Sequence, residues 1–210
     1  MDGSHVTRIK ICGITNADDA RAALAAGADA IGLVFAASPR RVGPEQARRI
    51  ARSVPPLATV VGVFRDAPPD EIADVLARVP LDVLQLHGDE PPRQCAALPR
   101  RVVKRFRILK TDTPDTLRAQ LAAYRVSAAL LDPGAGDGQP FDWTLARELP
   151  GPVMLAGGLC AENVGDAIRT ARPYAVDVCS GVEREPGRKD HDKMRAFVEA
   201  VRKADERLGS

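Results

Sequence analysis

The stretch "IKICGITNADDA", residues 9–20, decides the architecture. A short apolar run reads as a buried β-strand over Arg8–Cys12, ends on a thiol, and turns at Gly13. A helix follows almost at once, with Asn16 as its cap and Gly27 beyond its end. The same strand–turn–helix unit recurs along the whole chain. Further strands are expected at residues 30–35, 57–64, 82–86, 102–106, 128–131, 153–156 and 175–179, which makes eight. Helices are expected to open at Pro44 and at Pro68-Pro69, and over residues 91–98, 114–124, 143–148, 162–171 and 191–208.

Runs such as "LATVVGVF" and "AIGLVF" show little polar alternation. That is how parallel strands read when both of their faces are buried. Eight units favour a single-domain α/β fold, the (β/α)8 TIM barrel. The rival is an open doubly wound sheet, which usually has fewer strands and a GxGxxG turn after the first. Here the first strand is followed by Cys-Gly-Ile-Thr instead. The barrel domain is expected over residues 8–208, preceded by a tail at residues 1–7 whose Gly3-Ser4-His5 reads as a vector-derived scar.

With 210 residues, 45% of them hydrophobic, the chain can build a core without disulfides or a metal. Thirty basic and 28 acidic residues leave a formal charge of +2, so nothing draws it generally to nucleic acid or to an anionic membrane. No apolar run approaches the ~20 residues of a membrane span, and the N-terminus lacks the pattern of a signal peptide. Cys12, Cys95, Cys160 and Cys179 lie far apart with no CxxC pair. That spacing argues against a zinc site and against a secreted disulfide framework, and a cytoplasmic protein is expected.

In such a barrel the active site lies where the strands end. The ends supply Cys12, then Arg40 and Arg41, His87, Asp132, Gly157-Gly158, and Ser180-Gly181. Glycine turns after strands seven and eight suit a phosphate, because backbone N–H groups can approach it closely. The bland alternative is a pair of tight turns. Cysteine at a strand end is commonly a small buried hydrophobe. That role is assigned to Cys95, with Cys160 and Cys179 packing near the mouth. Asp132 could simply cap its turn. Alternatively, Cys12 as base and Asp132 as acid could face each other across a substrate, which suggests proton-shuffling isomerisation rather than hydrolysis. The residues alone leave both readings open.

Longer motifs add a resemblance. "KICGIT" (10–15), "GADAIGLVF" (27–35), "SPRRV" (38–42), "VGVF" (61–64), "LQLHGDE" (84–90), "FDW" (141–143), "AGGL" with "NV" (156–164) and "VDVCSGVE" running on to Asp190 follow in order. Together the chain resembles the phosphoribosylanthranilate isomerase family of tryptophan biosynthesis, which are (β/α)8 barrels. The resemblance implies an Amadori rearrangement of N-(5-phosphoribosyl)anthranilate, with no metal and no organic cofactor. It implies Cys12 as general base and Asp132 as general acid. Arg40 would hold the anthranilate carboxylate through a two-pronged guanidinium grip. Gly157, Gly158, Ser180 and Gly181 would cradle the phosphate, and His87 and Asp177 would line the pocket. The implied partner is a small phosphorylated substrate, met by a monomer or a homodimer.

Three departures stand out. The loop over residues 132–141 is short and carries Asp137 where threonine or serine is common. The loop before "SPR" is one residue short, so Arg41 competes with Arg40. Cys179 replaces a usual serine. Two other functions compete: an aminoaldose isomerase of histidine synthesis or a bifunctional relative, which would pair two aspartates, and a silent barrel that only binds a phosphorylated ligand or a partner protein, which would have lost the acid or the base.

Overall fold

The computed structural model describes residues 6–134 and 141–209. Strands and helices alternate as β1 (Arg8–Cys12), α1 (Ala17–Ala25), β2 (Ala30–Val34), α2 (Pro44–Arg52), β3 (Thr59–Phe64), α3 (Pro69–Arg78), β4 (Val83–Leu86) and α4 (Pro92–Ala97). The second half adds β5 (Arg101–Arg107), α5 (Pro114–Ala122), β6 (Ala128–Asp132), α6 (Thr144–Arg147), β7 (Val153–Leu155), α7 (Val164–Ala171), β8 (Ala175–Val178) and α8 (His191–Leu208). The strands pair in sequence order, all parallel, and β8 returns to β1 to close the barrel. The open-sheet alternative is thereby removed.

Local chemistry sets the helix starts. Asn16 accepts a hydrogen bond from the Asp19 amide at 2.8 Å, satisfying one of the free N–H groups of a first turn. Pro44, Pro69, Pro92 and Pro114 each begin a helix, where the missing N–H costs nothing. Along β1 the side chains alternate between two environments. Ile9 and Ile11 pack into the layer between strands and helices, and Lys10 and Cys12 turn toward the barrel axis. A smaller cluster of Val103, Ala128, Leu130, Met154, Ala156 and Ala175 fills the barrel itself.

One buried ion pair pins the rim. Lys104 of β5 donates to Glu90 at 3.1 Å and to the Gly88 carbonyl at 2.6 Å. Glu90 in turn accepts from the Asp66 and Gly88 amides. The loops after β3 and β4 are thus held to β5. Lys104→Met should leave Glu90 buried without its cation and cost roughly 3–5 kcal/mol, read as a fall in the urea midpoint.

Some boundaries differ from expectation. Strand β3 starts at Thr59 rather than 57, because Leu57 lies in a proline turn closed by the Ala58 amide and Pro55 carbonyl and is 99% exposed. Helix α6 is only one turn. An antiparallel ribbon, β9 (Glu183–Glu185) with β10 (Arg188–Lys189), follows β8 and turns at Gly187, whose φ is +82°. Thr7, expected in the tail, is buried and bonds Asp205 of α8 through its amide and its hydroxyl. Asp137 lies outside the described residues. Among the described residues, no helix is long and apolar enough to cross a membrane.

Candidate active site

A cavity of about 320 Å³ opens at the C-terminal ends of the strands. Cys12, Arg40, His87 and Asp132 line it, and so do Gly157, Gly158, Asp177 and Ser180. Eight of the nine residues to which the family resemblance gives a role therefore share one mouth. Gly181 stands behind the lining, where a Cβ would collide with the Leu159 carbonyl, so its missing side chain serves close packing of two loops.

Cys12 sits among charges that the sequence did not advertise. Lys10, two residues earlier on the same side of β1, bonds Asp177 of β8 at 2.8 Å, with both groups buried. Although burial opposes its charge, the facing Asp177 and Cys12 keep Lys10 protonated. Burial pushes the Asp177 carboxyl up to about 7, against the pull of Lys10. The Cys179 thiol donates toward Cys12 and, with Lys10 and Lys189 adding positive charge, holds the Cys12 thiol well below its ordinary value despite burial. These neighbours favour the thiolate over the thiol at Cys12.

Across the mouth, Asp132 is held at one oxygen and faces His87 with the other. The Gly134 amide donates to Oδ1 at 2.7 Å, and His87 Nε2 lies 3.4 Å from Oδ2. Gln85 Nε2 donates to His87 Nδ1 at 3.2 Å, which leaves the proton of a neutral ring on Nε2, facing Asp132. Burial lowers the His87 pKa more than Asp132 raises it, so the ring is neutral at pH 7.

Arg40, not Arg41, reaches the cavity; Arg41 is exposed on the outer side of its loop. Glu183 at the start of β9 grips the Arg40 Nε and Nη2 at 2.9 and 2.6 Å. Five N–H groups make up a guanidinium, so its other fork edge is left over for a ligand. Gly13 makes room for this arrangement. Its φ is +74°, and a Cβ there would come within 2.7 Å of the Arg40 side chain and 2.9 Å of the Cys179 sulfur. Lys189 of β10 completes the cluster, bonding Glu183 at 3.0 Å and the Cys179 carbonyl at 3.0 Å.

The glycine turn after β7 has the shape of an anion cradle. Gly157 and Gly158 both have positive φ, +86° and +66°, so consecutive amides can converge on one ligand. Asn163 fixes the turn by accepting from the Cys160 amide and donating to the Gly158 carbonyl, both at 2.9 Å. Lys10, Glu183, Lys189 and Asn163 were not singled out in the sequence. Only Lys10 gave a local sign, a charge inside an otherwise apolar parallel strand.

A thiol held below its ordinary pKa and a carboxyl group line one cavity beside a turn of two positive-φ glycines, an arrangement of the class of barrel enzymes suited to moving protons on an anionic substrate. The comparisons with known proteins narrow this. Residues 9–200 match the family model for N-(5'-phosphoribosyl)anthranilate (PRA) isomerase, and the chain belongs to that family. The N-(5'-phosphoribosyl)anthranilate isomerase of Acidithiobacillus ferrooxidans is 52% identical over 204 residues, covering 94% of this chain and 98% of that protein. The crystal structure of the phosphoribosyl anthranilate isomerase of Thermus thermophilus superposes with a TM-score of 0.86 at 39% identity, covering 94% and 99% of the two chains. Another structure of such an isomerase, in complex with reduced 1-(o-carboxyphenylamino)-1-deoxyribulose 5-phosphate, gives a TM-score of 0.82 at 39% identity, covering 94% of this chain and all of that one.

Proposed function

We propose that this mouth carries out the Amadori rearrangement of N-(5-phosphoribosyl)anthranilate to 1-(2-carboxyphenylamino)-1-deoxyribulose 5-phosphate, with Cys12 as base and Asp132 as acid. The observation that carries this reading is that both groups line one cavity, from strands three apart around the barrel. Asp132 gives a proton to the ribose ring oxygen, the bond from that oxygen to C1 breaks, and the anthranilate nitrogen becomes a Schiff base. Cys12 then takes the proton from C2, and the resulting enolamine tautomerises to the aminoketone. Atoms are conserved throughout, as an isomerisation requires.

Gly157, Gly158 and Ser180 hold the phosphate through backbone and hydroxyl donors, with Gly181 supporting their loop. Asp177 positions Lys10 beside the base, and His87 orients the acid. The free fork edge of Arg40 takes the anthranilate carboxylate. Arg40→Ala should raise KM about 10–100-fold, the cost of losing charge-assisted hydrogen bonds. Glu183 keeps Lys189 as a partner, so the change in kcat should be smaller; steady-state kinetics separate the two. Every group in this reading comes from one chain, so a monomer suffices and a homodimer would add stability rather than chemistry. A biosynthetic reaction and four cysteines without disulfides fit the cytoplasm. The test is to follow the fluorescence of freshly made phosphoribosylanthranilate. Turnover that depends on both Cys12 and Asp132 is expected, and a substrate left unchanged by wild type would refute the proposal.

A further inference from the structure

Cys179 stands beside the base, and the mechanism gives its sulfur no proton to move. The β1–β8 ladder ends at Ile11↔Val178, and Cys12 and Cys179 are the residues that follow this last pair on the two neighbouring chains. Neighbouring strands run about 4.8 Å apart, inside the roughly 4.4–6.8 Å separation that disulfide Cα atoms span. Both thiols are reduced, both line the cavity, and they are within hydrogen-bonding reach of each other. Lysines flank the pair: Lys10 next to Cys12, and Lys189, whose Nζ lies 3.7 Å from the Cys179 sulfur.

We propose that Cys12 and Cys179 are a modification site, closing a reversible intramolecular disulfide across the β1–β8 seam when the protein meets hydrogen peroxide. The Cys12 thiolate attacks one peroxide oxygen; an S–O bond forms, the O–O bond breaks, and the departing hydroxide takes a proton to become water. The Cys179 sulfur then attacks the Cys12 sulfenic acid; the S–S bond forms, the S–O bond breaks, and the leaving hydroxyl carries off the Cys179 proton as a second water. Two thiols lose two electrons and one peroxide gains them. Lys10 favours the first step by holding negative charge on Cys12, and the cavity that admits a sugar phosphate admits a peroxide. Cys95 is buried away from the mouth and Cys160 does not line it, so neither competes as the resolving thiol. Closing the bond also occupies the sulfur that abstracts the C2 proton. That loss of activity, though not the bond itself, rests on the assignment of Cys12 as base.

The test treats reduced enzyme with stepwise hydrogen peroxide, blocks remaining thiols with N-ethylmaleimide, and follows turnover and peptide masses together. A Cys12–Cys179 cross-linked peptide is expected to accumulate as turnover falls at least 10-fold, and dithiothreitol should restore both. In Cys179→Ser, compared with its own reduced form, no such peptide should form. Cys12 should instead proceed to the sulfinic acid, which dithiothreitol does not reverse. Cys160→Ser should still form the link. Absence of the cross-linked peptide in wild type, or equal recovery in Cys179→Ser, would overturn the proposal. A full yield of the link with turnover intact would overturn the inactivation and, separately, the role of Cys12 as base.

Discussion

Cys12→Ser lowers kcat by about 10²–10⁴-fold while the barrel keeps its fold and stability, the range that a positioned acid or base contributes. Serine replaces sulfur by oxygen at a buried site of nearly the same volume, so packing changes little. The chemistry changes greatly. The donation from Cys179 and the positive charge of Lys10 and Lys189 hold a thiol well below its ordinary pKa, but a hydroxyl starts from a far higher one. The pH profile supplies a second readout. A base works only when deprotonated, so activity is present above its pKa and is lost as pH falls through it. Because Cys12 is held below the ordinary thiol range, wild type should stay active to lower pH than an unperturbed thiol allows. The Cys12→Ser variant should lose that limb. Near-normal turnover would remove Cys12 from the mechanism.

Asp132→Asn is the second large effect, again about 10²–10⁴-fold in kcat. The amide keeps the shape and can still accept from Gly134, so loop geometry should hold. It has no proton to give the ring oxygen, and ring opening should become limiting. Single-turnover fluorescence decay at saturating substrate measures this directly. Since acid and base act on one substrate in one sequence, the double variant should fall well short of the product of the two single losses. Multiplicative losses would mean that the groups act independently.

The eight-beat alternation was legible because β-branched runs and helix-starting prolines are local signals. Cys12, His87 and Asp132 were legible because strand ends in a barrel converge. What local patterns could not carry was pairing across the closure. Lys10 meets Asp177 from 167 residues away, and Glu183 meets Arg40 from 143. The ribbon β9–β10 escaped because "EREPGRK" has neither an apolar period nor a helical one. Leu57 misled for the converse reason: an apolar residue next to a strand reads as part of it, yet tandem prolines had already turned the chain outward.

Cys12 and Lys10 leave the ribosome long before Asp177, Cys179, Glu183 and Lys189, the second lysine, carboxylates and second sulfur that surround them. A ribosome-bound fragment, however well its early strands have formed, therefore holds Cys12 beside Lys10 but without Cys179 and without the carboxylate that pairs that lysine. The thiol meets its full surroundings only when β8 docks against β1, and a product that stops short of β8 is expected to be inert rather than half-active.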